Sequence, residues 1–271
     1  MRVFISIDLE GVSGVCRLSQ IDHDGADRRA ACELMRADLD AVLEGCLDGG
    51  ADEIVVCDAH DRGDNLGAVG LPAGVSLVSG GGTALSMMAG LESGFDAAFM
   101  VGYHARAGTA GAVLAHTYMF QITEALACGG PDGDQAIGEL GLNAALAGTF
   151  GVPVAFTSGD DKLAAEARAL VPGIGAVVVK DGLAWSSARM RGPDAAHAAL
   201  RAGARDALTR PLPPALDWNG RSLRVRFGRP DWCDEAACCP GARRLDGTAI
   251  EIAAPDWLTV FTSFVACANL V

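Results

Sequence analysis

Over the first 180 residues, short apolar runs alternate with longer stretches of helical spacing. Residues 3–7 form an apolar run that ends in Asp-Leu-Glu, and runs at 54–57, 97–101, 152–157 and 176–179 repeat the form, with 75–79 as a further strand candidate. Residues 113–120 read as strand-like with polar interruptions at His116 and Thr117. Between these runs, residues 26–48 place Ala31, Leu34, Leu39, Val42, Leu43 and Cys46 near helical spacing and stop at Gly49-Gly50. Helical patterns also occupy 85–91, 137–147 and 162–170. Short strands separated by helices of this length predict an α/β protein, a three-layer α/β/α arrangement around a largely parallel sheet.

The tail reads differently. A helix over 195–208 leads to Pro211, Pro213 and Pro214, a linker pattern, followed by strands at 223–227 and 248–253 and a closing helix at 257–269. The expected organisation is an α/β domain over residues 1–190 and a smaller C-terminal α+β segment over 191–271. Trp232, Trp257, Phe261 and Phe264 in that segment are candidates to be buried between subunits.

Half of the 271 residues are hydrophobic and 20% are charged, so the chain can bury a sizeable core; disorder, collagen and coiled coil are excluded. No apolar run reaches the roughly 18 residues of a membrane span, and Asp8 and Glu10 interrupt any signal-peptide core, which predicts a cytoplasmic protein. Thirty-four acidic against 21 basic side chains give a net charge of −13, which opposes binding to a phosphate backbone. Only Lys162 and Lys180 are lysines; the other basic residues are arginines. The nine cysteines match neither a zinc-ribbon spacing nor a CxxC pair at Cys233, Cys238 and Cys239, and read as reduced thiols.

The residues just beyond each early strand carry the chemistry. The first run ends Asp8-Leu9-Glu10-Gly11, the second Cys57-Asp58-Ala59-His60, and a third Gly102-Tyr103-His104-Ala105-Arg106. Ligands of open α/β sheets bind outside the carboxyl ends of the strands, so neighbouring ends would deliver Asp8, Glu10, His60 and His104 to one crevice. Carboxylates with imidazoles suit zinc, and a shared carboxylate can bridge two ions. Asp58 is equally a turn or helix-cap residue. His23 and His197 lie in polar helical surroundings and read as surface residues.

Taken in order, MRVFISIDLEGVSG, VCDAHD, FMVGYHARAGTAGAVLAHTYMF, IGELGLNAALAG and SGDDK resemble the D-aminopeptidases of peptidase family M55, also labelled dipeptide transport proteins. The tail is similar more loosely, through Pro-Asp-Trp at 230–232 and Pro-Gly at 240–241. The resemblance implies two zinc ions per subunit, with Asp8 bridging, Glu10 and His104 on one ion, and His60 and Glu139 on the other. It implies a catalytic role for His116, as nucleophile in the family's usual wording; an imidazole there serves equally as general acid or base. Asn143, one helical turn from Glu139, is a candidate substrate contact. A closed homodecamer that admits short peptides with a free N-terminus is a further implication. Residues 121–135, between His116 and Glu139, form a longer insertion than the family's, marked by Gly129, Gly130, Pro131 and Gly133 as a turn or mobile loop.

The expected function is zinc-dependent removal of an N-terminal D-Ala-like residue from short peptides or amides. Two alternatives remain: a two-metal hydrolase of phosphoesters or other amides, and a peptide-binding protein without turnover.

Overall fold

The first strand, β1 (Arg2–Ile7), lies at the centre of the sheet and sets its two faces. Val3, Ile5 and Ile7 point to one side and Phe4 to the other, each fully buried, as the two-residue period of a strand requires. The computed structural model describes all of residues 1–271. In chain order β1 is followed by α1 (Leu18–Ile21), α2 (Arg28–Asp48), β2 (Glu53–Asp58), β3 (Val75–Val78), β4 (Ala97–Val101), β5 (Ile122–Gly130), β6 (Gly133–Ala136), α3 (Glu139–Thr149) and β7 (Val154–Asp160). Then come α4 (Asp161–Leu170), β8 (Gly175–Ala184), β9 (Ser187–Met190), α5 (Pro193–Thr209), β10 (Ser222–Phe227), α6 (Pro230–Ala236), β11 (Ala242–Arg244), β12 (Ala249–Ala253) and α7 (Trp257–Ala268).

The main sheet runs β3-β2-β1-β4-β7-β8-β9 and is parallel except at the β8–β9 edge, so the expected largely parallel α/β architecture is present. Its inner strands β4 and β7 are buried throughout, which explains why the apolar runs at 97–101 and 154–156 do not alternate. On one face α2 and α5 pack Met35, Leu39, Val42, Leu200 and Ala204 against Val3, Ile5 and Ile7. On the other, Phe4 and Met100 share a core with α3, α4, α7 and a second sheet. That second sheet, β11-β12-β10-β5-β6, is antiparallel.

The second sheet corrects several expectations. Residues 121–135 are not a mobile loop: they form most of the β5–β6 hairpin, and β5 pairs with β10 nearly a hundred residues later. The division expected at residue 190 therefore does not separate the sheets, and α5, beyond it, packs on α2 of the first. Trp257, Phe261 and Phe264 are buried inside the subunit rather than between subunits, while Trp232 packs under Arg229. Residues 113–120 are irregular, because Leu114 and Tyr118 adopt positive φ (51° and 59°) and break any strand. The helix expected at 85–91 shrinks to a 3-10 turn at Ser86–Met88.

Candidate metal centre

Strands β2, β1 and β4 are neighbours in the sheet, and the chain order changes direction around β1. Their carboxyl ends open on one crevice, the switch point of a doubly wound sheet. Asp8 and Glu10 follow β1, His60 follows β2, His104 follows β4, and Glu139 opens α3 above them. The β1 and β4 exits lie in close contact: Asp8 N donates to Val101 O (2.8 Å) and Gly11 N to Gly102 O (2.7 Å). A Cβ on Gly11 would sit 1.9 Å from Tyr103 O, and one on Gly102 (φ +67°) 2.3 Å from Asp8 O, so only glycine permits this approach. Asp58 is a turn organiser, accepting from Asn65 N, Asn65 Nδ2 and Leu66 N, while Asn65 Nδ2 also holds His60 O.

Each of three imidazoles has one nitrogen committed to a backbone carbonyl. His60 Nε2 donates to Ile21 O (2.9 Å), His104 Nδ1 to Ala105 O (3.0 Å) and His116 Nδ1 to Leu114 O (2.9 Å). Their other nitrogens face carboxylates. His60 Nδ1 is 3.1 Å from Asp8 Oδ1 and from Glu10 Oε2, His104 Nε2 is 3.2 Å from Glu139 Oε1, and His116 Nε2 is 3.6 Å from the same oxygen. Such carbonyl anchoring fixes tautomer and ring orientation in metal-ligating histidines.

Three buried atoms of this cluster, Asp8 Oδ2, Glu10 Oε2 and His104 Nε2, lie 3.1–3.6 Å from ionisable neighbours yet make no aligned hydrogen bond. Orphaned buried polar atoms are costly, and convergent ones of these types fit a cation. Donor atoms within 4.8 Å of one another group as Asp8–Glu10–His60, Asp8–His104–Glu139 and Glu10–His104–His116. Asp8 belongs to both carboxylate-bridged sets, as a bridging ligand would. The first two sets put Glu10 with His60 and Glu139 with His104, while the third puts Glu10 with His104, the pairing the resemblance implies.

The electrostatics are those of a crowded acidic site. Burial, then the neighbouring Glu10 charge, pushes Asp8 up to about 7. Burial opposes ionisation of Glu10 as well, but His60 and His104 outweigh it and hold its carboxyl well below the usual range. Burial would lower His60 and His104, yet the surrounding carboxylates raise both well above an ordinary imidazole. His116 behaves oppositely: burial and then the His104 charge lower it, leaving a neutral base with a free Nε2. Its ring stacks on His104 at 4.1 Å and 10° and leans on Phe120 at 4.6 Å.

A cavity of about 390 Å³ opens over these groups. Besides the cluster it is lined by Asp22, His23, Asp61, Ser86, Met87, Tyr118, Met119, Phe120, Ala268 and Asn269, with no lysine or arginine in its wall. His23, expected on the surface, is exposed but stands at this rim, whereas His197 is half-buried and pairs with buried Asp38 at 3.3 Å. Arg106 is turned away, lining a separate cavity beside Glu166. Asn143 does not reach the cavity: it is fully buried, donating to Tyr103 Oη (2.9 Å) and accepting from Tyr118 Oη (3.1 Å). Its place one turn along α3 points it into the core instead. Tyr118, whose N donates to Glu139 Oε1 (2.6 Å), and Phe120 were not legible as site residues, and only their closeness to His116 in sequence hinted at them. Four non-glycine residues have positive φ, namely Asp61, Ser86, Leu114 and Tyr118, and each lines the cavity or anchors His116. Backbone strain of this kind collects at functional sites.

A doubly wound α/β sheet with carboxylates and imidazoles convergent at its switch point defines a metal-dependent hydrolase in class. The sequence model of peptidase family M55, described as D-aminopeptidase, matches residues 1–266, and the chain belongs to that family. It is similar to the D-aminopeptidase of Bacillus subtilis (strain 168), with 30% identity over 277 residues covering 100% of this chain and 97% of that one. It is similar in structure to the "Zn-dependent D-aminopeptidase DppA from Bacillus subtilis, a self-compartmentalizing protease", with a TM-score of 0.93 and 28% identity over 100% of this chain and 97% of the other.

Proposed function

We infer that this chain is a zinc-dependent D-aminopeptidase. The observation that carries the reading is the convergence of Asp8 Oδ2, Glu10 Oε2 and His104 Nε2, buried and unsatisfied, among further carboxylate and imidazole donors. Asp8, Glu10, His60, His104 and Glu139 would hold two zinc ions, with Asp8 shared. Zinc supplies Lewis acidity, polarising the scissile carbonyl and lowering the pKa of water toward neutrality. His116 keeps its proton on Nδ1, through Leu114 O, and presents Nε2 to the cavity. From there it takes a proton during attack and returns it to the departing amine.

The wall favours a peptide over a phosphoester. Asp22 and Asp61 at the rim add to the acidic cluster and suit the ammonium of a free N-terminus, whereas a phosphate would find no cationic side chain. Ala59, Met87, Met119 and Ala268 leave an apolar surface for a small side chain of D-Ala type. The chain is taken to work as a homodecamer: its relative is described as self-compartmentalizing, and Val69, Leu183 and Leu270 are exposed apolar residues available for contacts. Nine free thiols suit a reducing, cytoplasmic setting. No helix is long and apolar enough to cross a membrane.

Metal analysis of purified protein together with hydrolysis of D-Ala and L-Ala p-nitroanilides tests the reading. Two zinc ions per chain with D-selective turnover is the expected result. Zinc with phosphatase activity alone, or no turnover on any substrate, overturns it.

A further inference from the structure

One of the chain's two lysines lies buried behind the site. Lys180, on β8, is fully buried, yet it forms no ion pair. Its ammonium instead donates to three backbone carbonyls: Glu10 O (2.5 Å), Val12 O (2.9 Å) and Val15 O (2.6 Å). All three ammonium protons are thereby used. The three acceptors belong to one irregular stretch, the exit from β1, which bends through turns between residues 9 and 14 and has neither a helix nor a strand to satisfy them.

We propose that Lys180 is the positioning residue of the metal centre, fixing the backbone of the 10–15 loop so that Glu10 presents its carboxylate to the cluster of Asp8, His60 and His104. This rests on the reading of Glu10 as a zinc ligand. Burying an ammonium without a carboxylate partner is costly, and packing alone would be served as well by methionine. The charge has a use only if three carbonyls must face one point. Without a cation they repel one another, Glu10 O and Val15 O lack any donor while Val12 O keeps only Val15 N (3.2 Å), and the loop relaxes by turning its peptides. The first peptide to turn is that of Glu10, whose side chain is the donor. Other ligands have anchors of their own: Asp8 is tied to β4 through Val101 O, His60 to Ile21 O, His104 to Ala105 O, and Glu139 to Tyr118 N. Lys180 therefore acts on the zinc position that Glu10 serves.

Zinc affinity of the full chain, stripped with chelator and titrated in competition with a chromophoric chelator, tests the assignment. Wild type, Lys180→Met, Lys180→Gln, Glu10→Gln and the Lys180→Met/Glu10→Gln double variant are compared, with melting temperatures alongside. Lys180→Met is expected to weaken one zinc position by roughly 10- to 100-fold and spare the other, as loss of an outer support of a metal ligand does. Lys180→Gln, which keeps two donors, should fall between it and wild type and carries the test if the methionine variant does not fold. In the Glu10→Gln background the lysine substitution should add no further loss, since its effect runs through that side chain. Unchanged affinity, equal weakening of both positions, or the same loss with Glu10 already replaced overturns the proposal. Failure of both lysine variants to fold also overturns it, leaving Lys180 a folding residue. A wild-type chain that takes up no zinc overturns the metal reading beneath it, an outcome the wild-type control separates from the rest.

Discussion

Replacing His116 by alanine separates chemistry from metal binding. The imidazole is not needed for either carboxylate-bridged donor set, so His116→Ala should keep both zinc ions. The structural cost comes from the contacts the ring makes. It loses a stack on His104 at 4.1 Å and a tilted contact with Phe120 at 4.6 Å, each worth about 0.5–1.5 kcal/mol, and the bond to Leu114 O, worth about 1 kcal/mol. A loss of about 2–4 kcal/mol lowers the melting temperature by roughly 4–16 °C at 2–4 °C per kcal/mol. That leaves the chain folded at 25 °C if its stability lies in the usual range of about 5–15 kcal/mol. The catalytic cost is separate: a general acid–base contributes about 10²- to 10⁴-fold, equivalent to about 3–5 kcal/mol of barrier. The assay is kcat and KM on D-Ala p-nitroanilide with zinc content measured on the same sample. A fall in kcat of that size with KM little changed, and loss of one limb of the pH profile, is expected. A zinc-replete His116→Ala protein with unchanged kcat would falsify the role.

Asp8→Ala should lose both zinc ions, whereas His60→Ala and His104→Ala should each weaken mainly one; elemental analysis showing full zinc in Asp8→Ala contradicts a shared carboxylate. In chelator-stripped protein, His60 and His104 are raised above the unfolded value of about 6.5, so the folded state binds more protons and stability falls as pH rises from about 6.5. Glu10 and Glu139, both lowered, are ionised in both states there; Asp8, raised to about 7, adds to the fall, and Lys180, which burial pulls down to about 8, opposes it only toward the top of the window. A melting temperature of the stripped protein that stays flat or rises between pH 6.5 and 8 rules this out; zinc affinity should rise over the same range as those protons are displaced. Phe261→Ala, deep in the core of α7, should cost about 3–5 kcal/mol in urea unfolding, and a value under 1 kcal/mol would contradict its intramolecular burial. Light scattering should return a large multiple of 27.8 kDa, and a monomer would remove the decamer.

The parallel sheet was legible because its physics is local. Strands buried on both faces must be continuously apolar, and the helices between them must show a stripe, so β1, β2, β4, β7 and α2 announce themselves within short windows. The second sheet was not legible in the same way. Ile122, Ala125 and Ala127 are buried, but what makes 122–136 a hairpin is pairing with β10, whose residues 222–227 no local pattern links to it. Gly129 and Gly133, both at positive φ, marked a turn correctly and disguised the strands on either side of it.

The site divides along the same line. Asp8, Glu10, His60 and His104 could be placed in one crevice because each follows a strand and strand ends of a doubly wound sheet converge by topology. Glu139 could not, since a carboxylate opening a helix is ordinarily a partner of the helix dipole. What distinguishes it is three-dimensional: Tyr118 N reaches its Oε1 only because the 113–120 segment abandons the strand its sequence suggests. The same two positive-φ residues carry both consequences, Leu114 anchoring His116 Nδ1 and Tyr118 steadying Glu139. The failure of strand prediction at 113–120 and the invisibility of Glu139 thus have one cause. A strand there would send alternate side chains to opposite faces, and could not bring His116 over Glu139 while also turning a backbone amide toward it.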